Sequence, residues 1–221
     1  MDHVPRETVT MLKSNEIAVA ALARDHALTT EQTQQFVRYV ELIERWSERM
    51  RLVSTSDLGR IVSRHIAESL AVLRHQLIPD RGALLDVGSG AGFPGIPIAV
   101  CLSELRVTLL DSQRKKMLFL QEAAETMQLK NVTVIGDRLQ NLPAQQAYDA
   151  VTARAVARAR LLWAWSCPHL RKDGLLIVFK GGRVDDEIEE LLQTYAVSCR
   201  VLPLFPDGDA AERKLVVLSR R

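Results

Sequence analysis

Hydrophobic residues recur at every third or fourth position in the first third of the chain. Between residues 30 and 76 this spacing predicts helices, and one of them carries Phe36, Val40 and Ile43 on a single face. We expect the last of these helices to end before Pro79, because the residue that precedes a proline avoids helical geometry. The pattern therefore predicts an N-terminal helical extension over residues 1–78.

After residue 81 the pattern changes to short, continuous apolar runs separated by helical stretches. Continuous apolar strands that alternate with helices are typical of a parallel sheet covered on both faces. We therefore expect a Rossmann-like α/β domain over residues 79–221. The five runs that predict its parallel strands are residues 83–87, 106–111, 132–135, 148–152 and 175–179.

The last part of the chain predicts a different connection. Tyr195–Leu202 and Lys214–Leu218 are strand-like, and the segment between them contains Pro203, Pro206 and Gly208 and is too short for a crossover helix. We expect these two strands to form an antiparallel hairpin at one edge of the sheet. The prediction is thus a seven-stranded, mostly parallel sheet with an antiparallel last hairpin.

Composition narrows the class of protein. The chain has 221 residues, of which 47% are hydrophobic and 25% are charged, as in an ordinary globular protein. Its three cysteines are far apart, which argues against a disulfide framework and favours reduced thiols. No apolar run approaches the roughly 18 residues of a membrane span, and the start of the chain does not resemble a signal peptide. We expect a cytoplasmic protein without a metal site.

Charge is distributed unevenly, although the net charge is only +2. Five basic residues and no acidic residue lie between positions 150 and 172, and a second basic cluster covers positions 114–116. Such clusters suit an anionic partner, but they are also typical of a solvated helix face. Both interpretations stay open at this point. The five residues are Arg154, Arg158, Arg160, Arg171 and Lys172.

A glycine-rich turn follows the first predicted strand. Gly88, Gly90 and Gly92 alternate with other residues, which permits positive φ angles and close approach of a ligand to the backbone. Asp86 precedes the first glycine by two residues, where it could accept hydrogen bonds from the loop or from an ammonium group. Asp111 ends the second predicted strand, where a carboxylate can accept both hydroxyl groups of an adenosine ribose.

Glycines alone do not identify the ligand, because nucleotide, flavin and methyl-donor sites share this pattern. The choice lies between a nicotinamide enzyme and an S-adenosyl-L-methionine enzyme. The hairpin ending favours the second, since a plain dinucleotide fold would continue its alternation of strands and helices. The sequence also lacks a recognisable hydride-transfer set such as Tyr-x-x-x-Lys.

The run Leu85–Pro97, with Phe-Pro-Gly-Ile-Pro after the glycines, resembles the ribosomal RNA small-subunit methyltransferase G family, also called glucose-inhibited division protein B. The resemblance extends over about residues 36 to 218. One departure is Glu68, where the family usually has Asp. The other segments that carry the resemblance are Arg64–Leu70, Leu110–Ser112, Ala153–Ala157, Phe179–Gly181 and Glu212–Val217.

The resemblance implies a class I methyltransferase that transfers a methyl group from S-adenosyl-L-methionine to N7 of one guanine in 16S ribosomal RNA. It implies that Asp111 holds the ribose and that Leu139 and Gln140 contact the adenine. The full set of cofactor-binding residues that we expect is Asp86, Gly88, Gly90, Gly92, Phe93, Asp111, Leu139, Gln140 and Arg154.

Guanine N7 carries a lone pair and no proton, so its methylation needs alignment rather than a general base. Arg154, Lys180 and Arg213 lie near predicted strand ends, where ligands of α/β proteins collect. We expect these three residues to act in catalysis by holding the RNA backbone or orienting the target base. His65 is expected to bridge the helical extension and the sheet.

The predicted partner is small-subunit ribosomal RNA or the 30S particle, and we expect a monomer. The three tryptophans, Trp46, Trp163 and Trp165, have the helical spacing of core residues. Two alternatives stay open: a small-molecule methyltransferase of the same fold, and a non-enzymatic factor that binds ribosomal RNA during assembly.

Overall fold

Seven strands form one twisted α/β sheet in the computed structural model, which describes residues 6–145, 147–205 and 213–221. The strand order is β3-β2-β1-β4-β5-β7-β6; neighbours among β1 to β5 pair in parallel, and β7 pairs antiparallel with both β5 and β6. This confirms the predicted fold. Pro206 and Gly208 of the predicted hairpin link lie outside the described residues. The strands are β1 (Gly82–Val87), β2 (Leu105–Leu110), β3 (Val132–Ile135), β4 (Tyr148–Arg154), β5 (Leu170–Gly181), β6 (Val197–Pro203) and β7 (Arg213–Arg220).

Helices cover both faces of the sheet. Helices α2, α4 and α5 pack on one face and α6 and α7 on the other, so the strands are apolar on both sides. Within the described residues, no helix has the length and apolar character needed to cross a membrane. The helices are α1 (Arg6–Asp25), α2 (Thr30–Ser47), α3 (Ala67–Arg74), α4 (Gly95–Cys101), α5 (Arg114–Thr126), α6 (Ala159–Ser166) and α7 (Asp185–Thr194).

The N-terminal helices are less regular than their hydrophobic spacing predicts. Thr29 caps α2 by accepting a hydrogen bond from the backbone of Gln32, which places the helix start where the sequence indicates it. The following helical stretch is divided: residues Thr55–Arg60 form a 3₁₀ helix and Ile61–Ile66 form a wider π turn before α3 begins. Helix α1 lies within the predicted extension of residues 1–78, but the helical spacing noted for residues 30–76 did not include it.

The N-terminal extension and the sheet share one apolar core. Phe36 and Ile43 of α2 are fully buried in the same cluster as Ile96 of α4 and Phe119 of α5. The Nε1 atom of Trp46 donates a hydrogen bond to Glu122 of α5. The extension is therefore fixed against the sheet, and α3 and the π turn that precedes it are held close to the carboxyl ends of the strands.

Candidate functional site

The glycine loop joins β1 to α4 in a conformation that favours glycine. Gly88, Gly90 and Gly92 have φ angles of 67°, 59° and 90°. The backbone N–H of Gly88 donates to the carbonyl of Leu110 at 2.7 Å, which ties the loop to the end of β2. A Cβ atom on Gly88 would lie 2.7 Å from Cγ2 of Val156. A side chain there would fill the space between the loop and the segment that follows β4.

Asp86 is wholly buried behind this loop. Its Oδ1 accepts a hydrogen bond from the hydroxyl of Thr152 at 2.8 Å, and its Oδ2 accepts one from the backbone N–H of Gly95 at 3.2 Å. Burial raises the pKa of this carboxyl to about 6, although its hydrogen bonds oppose the shift. Asp86 thus connects β1 to β4 and to the start of α4, and its direct contact with a ligand stays a prediction.

Asp111 follows β2 and faces the loop from the side. Its side chain accepts hydrogen bonds from the backbone N–H of Gly90 at 3.0 Å and of Gln113 at 2.9 Å. An ionised carboxylate offers about four lone-pair positions, so two remain for an incoming ligand. The geometry therefore combines support of the loop with the acceptors that a ribose requires.

A cavity of about 390 Å³ lies beside the loop, and we call it the loop cavity. Its size is within the roughly 300–1,000 Å³ of small-ligand sites. Its wall includes four predicted cofactor residues, Gly88, Asp111, Leu139 and Gln140. Trp165 also lines the cavity and is only half-buried, although its spacing on a helix had indicated a core position. Helical spacing did not separate a core tryptophan from one at the rim of a cavity.

A second cavity of about 340 Å³ adjoins the first, and we call it the basic cavity. Ala155, which has a positive φ of 54°, contributes to the walls of both cavities. The basic cavity also brings together all three residues predicted to act in catalysis. Its charged lining residues are Arg64, Glu68, Arg154, Lys180, Arg213 and Lys214.

Each of the three predicted catalytic residues has a partner within the protein. Arg154 places Nη2 3.0 Å from Oε2 of Glu68, and Arg213 pairs with the same carboxylate. Lys180 places Nζ 2.7 Å from Oε1 of Glu187 and donates to the carbonyl of Ala157 at 3.0 Å. Lys180 thus holds the segment after β4 in place, and its contact with RNA stays a prediction.

His65 bridges the helical extension and the sheet. Its ring stacks on Phe93 of the glycine loop at a centroid distance of 5.1 Å, and its Nδ1 lies 2.7 Å from Nη2 of Arg154. Burial and, to a smaller extent, the positive charge of Arg154 lower the pKa of His65 to about 4. The ring is therefore neutral near pH 7, and Nδ1 accepts the hydrogen bond from Arg154. Phe93 is itself buried, so its contact with a cofactor stays a prediction.

The basic residues between positions 150 and 172 do not form one patch. Arg158 and Arg160 both pair with Glu190 of α7, and Arg171 pairs with Asp149. Arg154 ends β4 whereas Arg171 lies at the start of β5, and parallel strands place these positions at opposite edges of the sheet. These five residues therefore do not act as one group, and an anionic partner for any of them stays a prediction.

The sheet order, the last hairpin and the loop at the end of β1 define the fold of a class I methyltransferase. Solved structures support this class at the level of the fold. A SAM-dependent methyltransferase from Aquifex aeolicus matches with a TM-score of 0.59 and 16% identity, covering 75% of this chain and 98% of that one. The ribosomal protein L11 methylase from Lactobacillus delbrueckii subsp. bulgaricus matches with a TM-score of 0.56 and 16% identity, over 72% and 79% of the two chains.

Sequence comparison narrows the class further. The family model described as rRNA small subunit methyltransferase G matches residues 32–216. Proteins named ribosomal RNA small subunit methyltransferase G include one from Carboxydothermus hydrogenoformans, 37% identical over 88% of this chain and 86% of its own length. Another, from Lactococcus lactis subsp. lactis, is 32% identical over 94% of this chain and 90% of its own length. The chain belongs to the rRNA small subunit methyltransferase G family.

Proposed function

We propose that the chain transfers the methyl group of S-adenosyl-L-methionine to N7 of one guanine in 16S ribosomal RNA. The observation that carries this proposal is the pair of adjoining cavities that share Ala155. The loop cavity has the acceptors and apolar walls that an adenosine needs, and the basic cavity has the charge that a nucleic acid needs. Family membership supports the same function.

The residues of the loop cavity fit a nucleoside methyl donor. The free lone pairs of Asp111 accept hydrogen bonds from the two ribose hydroxyls, while Leu139 and Gln140 hold the adenine from the side of the turn after β3. Trp165 adds an aromatic surface to the same cavity. When bound, S-adenosyl-L-methionine supplies a methyl group on a positively charged sulfur that a lone pair can attack.

The residues of the basic cavity fit an acceptor that is already nucleophilic. Guanine N7 has an unshared lone pair, so the protein must orient the base and exclude water, and it need not remove a proton. Arg154 can donate to guanine O6, next to N7, or to a phosphate oxygen. His65 is neutral and engaged with Arg154, which suits a role in orienting the arginine.

Charge in the basic cavity favours RNA over a small neutral substrate. Five cationic side chains and one carboxylate line it. Two of the cations, Lys180 and Arg64, are also paired with acids outside the lining set, Glu187 and Asp57. Lifting a guanine out of a folded RNA costs a few kcal/mol, so the substrate must present an accessible base. We propose ribosomal RNA within or before the assembled 30S particle as that substrate, and a cytoplasmic monomer as the acting form.

The test is methylation of 30S subunits and of naked 16S RNA from a strain that lacks the gene for this chain. Mass spectrometry of nuclease digests should show one new 7-methylguanosine per RNA with the wild-type protein and none with Arg154→Ala. Asp149→Asn is the matched control, since it breaks an arginine–carboxylate pair at the opposite edge of the sheet. A wild-type protein that binds the methyl donor and methylates neither substrate would refute the proposal.

A further inference from the structure

Glu68 is a buried acid in the middle of a basic cavity. Its side chain is only 6% exposed. Its Oε2 lies 3.0 Å from Nη2 of Arg154, its Oε1 pairs with Arg213, and Nε of Arg64 lies 3.8 Å from Oε1. One carboxylate thus lies between three guanidinium groups that would otherwise repel one another across the site.

A second acid extends this arrangement away from the cavity. Asp57 lies 2.5 Å from Nη1 of Arg64, and its Oδ2 lies 3.6 Å from Nε2 of His65. Arg60 also pairs with Asp57, with its Nη2 3.4 Å from Oδ1. Four guanidinium groups against two carboxylates leave two positive charges, since His65 is neutral. The cluster keeps a net attraction for an anion while every guanidinium has a fixed partner.

The members of this cluster come from distant parts of the chain. Arg154 ends β4 and Arg213 begins β7, so both belong to the edge of the sheet where the loop cavity opens. Glu68 belongs to α3, directly after the π turn that contains Arg64 and His65. Single π turns in helices occur frequently at functional sites. The helical extension therefore supplies the acid, and the sheet supplies the two arginines that the acid holds.

Orientation is what an arginine needs for recognition of a base or a phosphate. The guanidinium group is planar and presents its donors as a rigid fork, so a small rotation moves both hydrogen bonds off target. A free arginine side chain samples many rotamers, whereas a carboxylate bound to one edge of the fork restricts its rotation. The Nη1 atom of Arg154 is buried and, within the described part of the chain, has no hydrogen-bond partner, so it is left for a ligand of the cavity.

We infer that Glu68 is a positioning residue for methyl transfer, because its carboxylate holds Arg154 and Arg213 in the orientation in which they fix the target nucleotide. This inference rests on the proposed function. A positioning role and a purely electrostatic role predict opposite changes in kcat when the charge of Glu68 is removed. Replacing Glu68 by glutamine removes a negative charge from the cavity, so a role in charge balance alone predicts tighter RNA binding and a rate at least as high.

The experiment compares Glu68→Gln, Glu68→Asp and Asp149→Asn with the wild type in steady-state methylation of 30S subunits. With Glu68→Gln we expect kcat to fall by about 100-fold, as for a displacement of reacting groups by roughly 1 Å, while KM for the subunit is unchanged or lower. With Glu68→Asp, which keeps the charge but shortens the side chain by one methylene, kcat should fall by less than in Glu68→Gln. Asp149→Asn should leave both constants unchanged.

Folding and donor binding are measured on the same preparations, by thermal unfolding and by calorimetry with S-adenosyl-L-methionine. A loss of kcat in Glu68→Gln that is matched by an equal loss of folded protein or of donor affinity would overturn the inference. So would wild-type kcat in Glu68→Gln, or an equal loss in Glu68→Gln and Glu68→Asp. A wild-type protein without activity would instead refute the proposed function itself, so the two failures are distinct.

Discussion

Replacement of Asp111 by asparagine tests the loop cavity most directly. The aspartate is only 6% exposed, and its two oxygens each accept one hydrogen bond from the backbone of the loop region, at 3.0 Å from Gly90 and 2.9 Å from Gln113. Asparagine has almost the same shape but only one oxygen. Its amide group would face one of these N–H donors, and the acceptors proposed for the ribose would lose their charge.

The magnitude follows from these contacts. Leaving one buried donor unsatisfied costs about 1–3 kcal/mol, and a hydrogen bond to a charged group exceeds a neutral one by about 1 kcal/mol. Part of this cost falls on folding and part on ligand binding. We expect the unfolding free energy to fall by about 1–2 kcal/mol and the Kd for S-adenosyl-L-methionine to rise by about 10- to 100-fold.

Calorimetric titration with S-adenosyl-L-methionine and its demethylated product, S-adenosylhomocysteine, measures the affinity, and urea unfolding measures the stability. The product is informative because it keeps the ribose and lacks the positively charged sulfur. If Asp111 binds the ribose, the affinities of both ligands should fall by the same factor. Asp149→Asn is the control, because Asp149 also accepts a hydrogen bond from the backbone, at Ala83, but far from the loop cavity. Unchanged affinity in Asp111→Asn, with or without a loss of stability, would refute the ribose assignment.

Three further outcomes are expected. Gly88→Ala forces an L residue to a φ of 67° and brings Cβ to 2.7 Å from Val156. We therefore expect about 10-fold weaker donor binding in calorimetry and an unfolding free energy lower by about 1–2 kcal/mol; unaltered values of both would contradict this. A double-mutant cycle in urea over Lys180 and Glu187, which are less than a fifth exposed, should give a coupling of about 1–2 kcal/mol, and zero coupling would remove their structural role. His65 has a pKa of about 4 in the folded protein and an ordinary pKa of 6.5, so the unfolded chain binds more protons than the folded chain between these two pH values. As the pH falls from 6.5 to 4, the unfolding free energy of the wild type should therefore fall by up to about 3 kcal/mol relative to that of His65→Gln. Parallel stability curves for the two proteins would contradict a lowered pKa of His65.

The fold and the glycine loop were predictable because local patterns determine them. Continuous apolar strands separated by helices require a parallel sheet, and parallel strands bring their carboxyl ends to one edge. Asp111 could therefore be assigned near Gly88 without coordinates, since both follow neighbouring strands. The confirmed hairpin rests on the same kind of argument, because the segment between its strands has no room for a crossover helix.

The partners of the charged residues were not predictable in this way. Glu68 and Arg154 are 86 positions apart along the chain, and nothing in their local sequence indicates that they pair. The same holds for Asp86, which accepts hydrogen bonds from Thr152, 66 positions away, and from Gly95 at the start of α4. Lys180 and Glu187 are close in sequence, yet their pairing depends on how α7 returns along the sheet.

The amino-acid sequence by itself thus determined the order of the strands, the glycine loop and the acid beside it. Hydrophobic periodicity and backbone preferences act over a few residues, so they can be read along the chain. Only the tertiary structure decided that the helical extension contributes an acid to a basic cavity, and that this cavity adjoins the loop cavity at Ala155. Ion pairs and cavity walls depend on the packing of distant segments, and no local preference specifies that packing.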